Sequence, residues 1–287
     1  MEHHQLLHSG RQQSESAAPV SSLRCSDMGL FSFLVMIGNA ILLLLLSAIF
    51  VRADPAADKL TAAGITEFSV AYQAWDGERF GKAAELFRQA EERTRASATN
   101  SCWRGTALFH RMLQLKSTSD TKAASAAMDA AVASLETAIK LDPGNAESHA
   151  LLGTLYGMKI DGSVGRAIRY GRLIQSHQEQ ALKHGPGNPR VRYLLGTGQF
   201  HIAKDAGGKR EALNTLLAAE KLFNAEVKQP VKGFEPRWGY VSCLTFIARS
   251  YESQGQQTEA LAYYRKALAA NPADQVAREG VARLKGK

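Results

Sequence analysis

Between residues 241 and 274 the chain alternates apolar and polar positions with a helical period, twice. Leu244, Ile247, Ala248 and Tyr251 fall at i, i+3, i+4 and i+7, one face of a helix. Gly255 breaks the run, Ala260, Tyr264, Ala267 and Leu268 resume it, and Asn271-Pro272 stops it. The same pattern starts at residue 61. Ile65, Phe68, Tyr72 and Trp75 form one stripe, Asp76-Gly77 interrupts it, and Phe80, Ala83, Phe87 and Ala90 form the next. Residues 101–116 put Trp103, Ala107, His110 and Leu113 on one face. A partner helix with Ala131, Leu135 and Ala138 inward ends at Leu141-Asp142-Pro143-Gly144-Asn145. A third pair opens with Leu152, Gly153 and Tyr156. The stretch KIDGSVGRAIRYGR, with Gly157, Gly162, Gly165 and Gly171, then reads as a lengthened connection before Ile174, Gln178 and Ala181. A fourth opens with Leu195-Gly196, has Lys204–Arg210 as an enlarged turn, and continues through Ala212, Leu216 and Ala219. Pro230, Gly233 and Pro236 mark the way to Trp238-Gly239-Tyr240, and QVAREGVARLKGK follows the fifth pair as a short capping helix.

The pattern predicts an all-α chain of about five helix pairs plus a cap. Residues 241–274, with small residues where the helices meet and a proline at the end, resemble a tetratricopeptide repeat of 34 residues. The resemblance covers roughly residues 61–285 and implies a right-handed helical-repeat solenoid. Pro143 to Pro186 is 43 residues, so the third unit holds about nine more than a plain repeat. The phrases LLGTLYGMKI, GNPRVRYLLG and GGKREAL, with the Trp-Gly entry to the last repeat, are similar to an exported bacterial group of tetratricopeptide proteins without a defined activity.

Ahead of the repeats the character changes. Residues 1–27 are polar and read as a disordered extension, with Met28 as an alternative start. Residues 29–51, GLFSFLVMIGNAILLLLLSAIFV, carry no charge and are long enough to span a bilayer. Val51-Arg52-Ala53 fits a signal-peptidase site, so 28–53 reads either as a cleaved signal peptide or as a retained transmembrane anchor. Either places the repeat domain, 54–287, outside the cytoplasm: periplasmic, exported or tethered to the membrane.

Charge adds a direction. Of the net +8, residues 185–287 hold 16 Lys/Arg against 9 Asp/Glu, while 54–145 hold 11 against 12. A solvated basic face is the plain reading; an acidic partner is the specific one. Cys102 and Cys243 lie three repeats apart, beyond the roughly 7 Å between Cα atoms that a disulfide spans, and are expected to be unpaired core residues. The histidines show no metal-ligand spacing, and His110 reads as a packing residue. No nucleophile elbow, phosphate loop or dinucleotide fingerprint is present, so no catalytic residue, metal or cofactor is expected.

Two candidate sites remain. Gly207-Gly208-Lys209-Arg210 sets two glycines and two cations at a helix start, an arrangement suited to a carboxylate or phosphate. An enlarged, flexible repeat turn is the plainer account. The resemblance also implies a concave groove that binds a peptide. Its candidate residues are Thr154 and Met158 in the third unit, Arg190, Tyr193, Thr197, Phe200 and His201 in the fourth, and Thr245, Arg249 and Glu252 in the fifth. Ala150 and Thr154 replace the asparagine and lysine of carboxylate-clamping members. The expected function is a non-enzymatic scaffold for an unidentified protein or peptide partner. A periplasmic small-molecule or transporter-associated helical-repeat module is the alternative. An enzyme built in the inserted loops would need titratable clusters there, and only cations are present. Nucleic acid is not expected, because export and the absence of aromatics interleaved on the basic face argue against it.

Overall fold

A computed structural model describes residues 54–94 and 97–286. The expected extension and leader or anchor lie outside the described residues. Among the described residues eleven helices follow one another: α1 (Pro55–Ala74), α2 (Gly77–Thr94), α3 (Ala98–Ser117), α4 (Thr121–Leu141), α5 (Ala146–Ile160), α6 (Val164–His184), α7 (Pro189–Ile202), α8 (Ala206–Glu226), α9 (Tyr240–Ser253), α10 (Gln257–Ala270) and α11 (Gln275–Lys285). They pack as five consecutive pairs with α11 against α10, and no strand occurs among the described residues. None of these helices is long and apolar enough to cross a membrane.

Local chemistry sets the boundaries. Asp54, Ser97, Asp120, Asn145, Ser163, Asn188, Asp205 and Asp274 each precede a helix, and each side-chain oxygen accepts from an amide of the first turn. These caps overturn two expected connections. Only Asp161-Gly162-Ser163 separates α5 from α6, with Gly162 at φ 72°, so Gly157, Gly165 and Gly171 are helical. Only Ala203–Asp205 separates α7 from α8. The additional residues lengthen helices instead: α6 and α8 have 21 residues, against 14 in α10. A capping side chain before a helix-compatible run outweighs isolated glycines.

The pairs close through glycines that admit a large partner. A Cβ on Gly64 would lie 2.7 Å from the Phe87 ring, and one on Gly105 would lie 2.5 Å from Leu135. Gly196 meets Leu216 at 2.8 Å in the same way. Unit three is different: a Cβ on Gly153 would find Gln178 at an ordinary 3.6 Å, so this glycine does not enforce close approach.

The fifth unit also returns to the first. Tyr72 Oη and Ser242 Oγ are 2.6 Å apart, and Asn271 Nδ2 donates to the Gln73 carbonyl at 3.1 Å. The inner face is therefore core. His110 is enclosed by the rings of Phe68, Tyr72, Phe80, Phe109 and Trp238, with centroids 5.0–5.5 Å away. Burial pulls the His110 pKa down to about 4, which keeps the ring neutral. Its Nδ1 lies 2.9 Å from the Thr106 carbonyl. Cys102 and Cys243 are buried and unpaired, as expected, and burial raises both thiol pKa values, Cys102 to about 12.

Candidate functional site

The chain between α8 and α9, residues 227–239, forms a strap at the starts of the inner helices. Trp103 Nε1 donates to the Phe234 carbonyl at 2.8 Å, and Arg237 donates to the carbonyls of Glu226 and Pro230. Trp238 is buried, 5.0 Å from His110 and 6.4 Å from Tyr193 between ring centroids. Pro230, Gly233 and Pro236 mark a connection in the sequence, but nothing local to them reveals the strap's role.

This closure changes most of the expected groove. Arg190 is 4% exposed: Nε donates to Glu147 Oε1 at 2.6 Å, and its two terminal nitrogens engage both oxygens of Glu226 at 3.0 and 2.6 Å. Burial opposes its charge, but the two carboxylates prevail and hold it protonated. Arg190 therefore joins α5, α7 and α8 rather than facing a ligand. Tyr193 is buried against Trp238 and Phe246, and burial raises its pKa well above the usual value. Thr197 and Thr245 are buried and bond their hydroxyls to the carbonyls of Leu194 and Ser242. Half-buried Thr154 bonds the Ala150 carbonyl in the same manner, and Met158 packs on the core. Glu252 accepts two hydrogen bonds from Arg283 at 2.8 Å and one from the Tyr264 hydroxyl at 3.0 Å, which ties α9 to α10 and α11. These seven residues hold the fold together. Burial of the inner face by the returning fifth unit and the strap is long-range, so repeat spacing does not predict it.

Three expected residues do assemble at a surface. Phe200 and His201 at the end of α7 meet Arg249 on α9, together with Phe246, which the sequence pattern does not single out. Phe246 lies 5.7 Å from both Phe200 and His201, and the Arg249 guanidinium sits 5.3 and 5.1 Å over the Phe200 and Phe246 rings. Phe200, Phe246 and Arg249 are half-buried and His201 is exposed. No carboxylate pairs with Arg249 among the described ion pairs. Although the residue as a whole is exposed, partial desolvation of its ring beside Phe200 and Phe246, and then the nearby Arg249 charge, lower the His201 pKa. The signal available was position: Phe246 precedes Arg249 by three residues, nearly one helical turn.

The glycine-cation site does not form. Gly207 to Arg210 lie in the first turn of α8, and Asp205 Oδ1 already accepts from the Gly208 amide at 2.8 Å. A carboxylate of the chain itself occupies the place an anion would take. Lys209 Nζ donates to the Ser253 carbonyl at 3.1 Å, and Arg210 is exposed.

A separate crevice of about 350 Å3 opens beside the strap, between the starts of α3, α5 and α7. Thr99, Cys102, Trp103, Asn145, Glu147 and Asn188 supply one side, and Lys232, Phe234, Glu235 and Pro236 the other. No cluster of His, Cys, Asp or Glu suited to a metal ion occurs among the described residues.

Five consecutive helix pairs among the described residues, most of them closed through small residues, define a tetratricopeptide-like repeat fold. The chain aligns with a thermophilic tetratricopeptide protein of Thermus thermophilus, TTC0263, at TM-score 0.55 and 18% identity, covering 81% of this chain and all of that one. A crystal structure of MamA is more distant, at TM-score 0.38 and 19% identity over 57% of this chain and 81% of that one. Within this class the sequence belongs to the family described as RMD1-3, Regulator of microtubule dynamics protein 1-3, whose profile matches residues 68–286. That description differs from the exported bacterial group which LLGTLYGMKI and its companion phrases resemble. No curated protein sequence matches the chain.

Proposed function

We propose that the protein is a non-enzymatic scaffold that binds a protein partner at the surface of Phe200, His201, Phe246 and Arg249. One observation carries this reading: of the expected groove, this cluster sets aromatic faces at the surface beside a guanidinium that pairs with no carboxylate among the described ion pairs. Such a surface suits a partner segment with an acidic residue beside an aromatic or aliphatic one. The fold of the repeat relative supports an interaction role in general, and the family's name adds a cytoskeletal context without a residue-level contact. The uncharged stretch 29–51 supports action at a membrane, through a leader or an anchor.

The test places a photo-crosslinking residue at position 201 in the full chain. Adducts with a discrete protein are expected, with at least a roughly tenfold loss on Arg249→Ala, the scale of a hot-spot residue. Adducts that persist undiminished in Arg249→Ala, or that form equally from exposed Lys221 on α8, refute the assignment. Tyr193 is unsuitable for such a test because its substitution damages the core.

A small-molecule module is the second reading, and the crevice of about 350 Å3 beside the strap favours it.

A further inference from the structure

We infer that the crevice between the strap and the starts of α3, α5 and α7 binds an alkylammonium group. It lies at the opposite end of α7 from Phe200, so the inference stands apart from the protein-binding surface. The volume of about 350 Å3 admits a short chain with a charged end.

The chemistry of the walls selects the ligand. Glu147 lines the crevice with its side chain 8% exposed. Its Oε1 accepts from Asn188 Nδ2 at 2.9 Å and Arg190 Nε at 2.6 Å, whereas its Oε2, itself buried, has no hydrogen-bond donor among the described residues. A buried carboxylate oxygen left in this state is unfavourable, and an N–H donor relieves it. The Arg190 charge is shared with Glu226, so two carboxylates, Glu147 buried and Glu226 half-buried, face one guanidinium. Glu235 adds a second carboxylate to the crevice, paired at 3.6 Å with Arg237, which also donates to backbone carbonyls. Lys232 is the cation on the lining and makes no ion pair among those described. Trp103, Phe234 and Pro236 complete the wall with aromatic and apolar surface, which accepts both an alkyl chain and a cation. An anionic ligand meets Glu147 and Glu235 and is disfavoured.

Two sources share this chemistry: a free diamine and a lysine side chain of a bound peptide. Nuclear magnetic resonance of the full chain distinguishes them, reading the indole N–H of Trp103 that the Phe234 carbonyl holds. Cadaverine is expected to shift this signal saturably, while pentanoate, of similar length and opposite charge, leaves it in place. A blocked lysine pentapeptide that binds at lower concentration than cadaverine assigns the site to a partner lysine; the reverse order assigns it to a free amine. Glu147→Gln is expected to weaken binding roughly tenfold, the scale of a charge-assisted hydrogen bond. Because that change also touches Arg190, two variants at exposed positions accompany it. Thr99→Lys tethers an ammonium beside the crevice and is expected to abolish the shift; Glu235→Gln is expected to weaken binding about threefold, as for an exposed charge. The inference is overturned if neither amine moves the Trp103 signal, if pentanoate moves it equally, or if the cadaverine response survives Thr99→Lys unchanged.

Discussion

Helices α4 and α6 hold the same place in successive repeats and have the same length, 21 residues, yet they are packed in opposite ways. α4 buries Ala124, Ala127, Met128, Ala131, Val132, Ser134, Leu135 and Ala138. α6 buries only Ala181 and leaves Val164 and Ile168 75% and 76% exposed. The alanines of α4 let its backbone approach α3, where Gly105 receives Leu135. α6 presents Ile174, His177 and Gln178 to Gly153, and these stand further off. α6 also makes little contact with α7, so unit three joins unit four mainly through α5 against α7 and through the Glu147–Arg190–Glu226 group. Similar repeat spacing thus yields one helix fastened by volume and another held chiefly along one neighbour. The difference is energetic before it is functional.

The largest effect expected from this contrast is at the packed helix. Leu135→Ala removes a fully buried side chain and is expected to cost about 2–5 kcal/mol. Ile174→Ala, the half-buried counterpart on α6, is expected to cost about 1 kcal/mol. Urea unfolding of both variants checks it; equal losses would mean that α6 is as strongly fastened as α4.

The two glycines give the next test, and here even the sign differs. A methyl at Gly105 meets Leu135 at 2.5 Å with the Ala131 carbonyl behind it, so Gly105→Ala is expected to destabilise by about 1–3 kcal/mol. At Gly153 the nearest atoms are 3.6 Å away and the residue is helical, so Gly153→Ala is expected to stabilise by up to about 1 kcal/mol. A loss at Gly153 comparable with that at Gly105 refutes the looser packing of unit three.

The helix pairs, the capping helix and their order are legible in the sequence, because amphipathic period and capping residues are local. Ala131, Leu135 and Ala138 are legible as core, since small residues at helical spacing have one use in a repeat. The looser packing at Gly153 is not legible, because a glycine at that helical position does not reveal whether its neighbour is leucine or glutamine. Gly207 to Arg210 mislead when glycine content is weighed above Asp205, the cap that starts α8. Of the expected groove, Phe200, His201 and Arg249 come together at the surface, whereas Thr154, Met158 and Glu252, also half-buried, are bonded or packed within the fold. Arg190 reads as a ligand contact from spacing alone because its partners, Glu147 and Glu226, lie in other elements 43 and 36 residues away. Closure of unit five onto unit one follows from contacts as remote as Tyr72 and Ser242, which no local pattern contains.

The smallest expected effect concerns how α6 is held. His149 Nδ1 on α5 and His177 Nδ1 on α6 lie 2.9 Å apart, so one ring donates and the other accepts, and both are neutral. His149 Nε2 lies 3.1 Å from the Pro143 carbonyl, and the Tyr156 ring stacks on His177 at 5.6 Å. Burial lowers both pKa values. His184 lowers that of His149 further, while the Pro143 carbonyl and Asp142 oppose this; the two rings' mutual repulsion lowers that of His177, and Glu136 opposes it. Folded values below the unfolded value of about 6.5 mean that the unfolded state binds more protons on acidification. Stability is therefore complete above about pH 6.5 and declines as the pH falls from there toward the folded values. His110 contributes a wider decline, down to its folded value of about 4, which affects the whole core. A double protonation of the His149–His177 pair sets two positive rings in contact, and this acts where α6 meets α5 rather than on α4. The protection of α6 amides, taken relative to the intrinsic exchange rate at each pH, is thus expected to fall below about pH 6.5 before that of α4 does. In His177→Gln, whose amide hydrogen-bonds without titrating, only His149 and His110 of these three still titrate, and the lead of α6 over α4 is expected to shrink. If α6 and α4 already respond together in the unmodified chain, the histidine pair is not what distinguishes them.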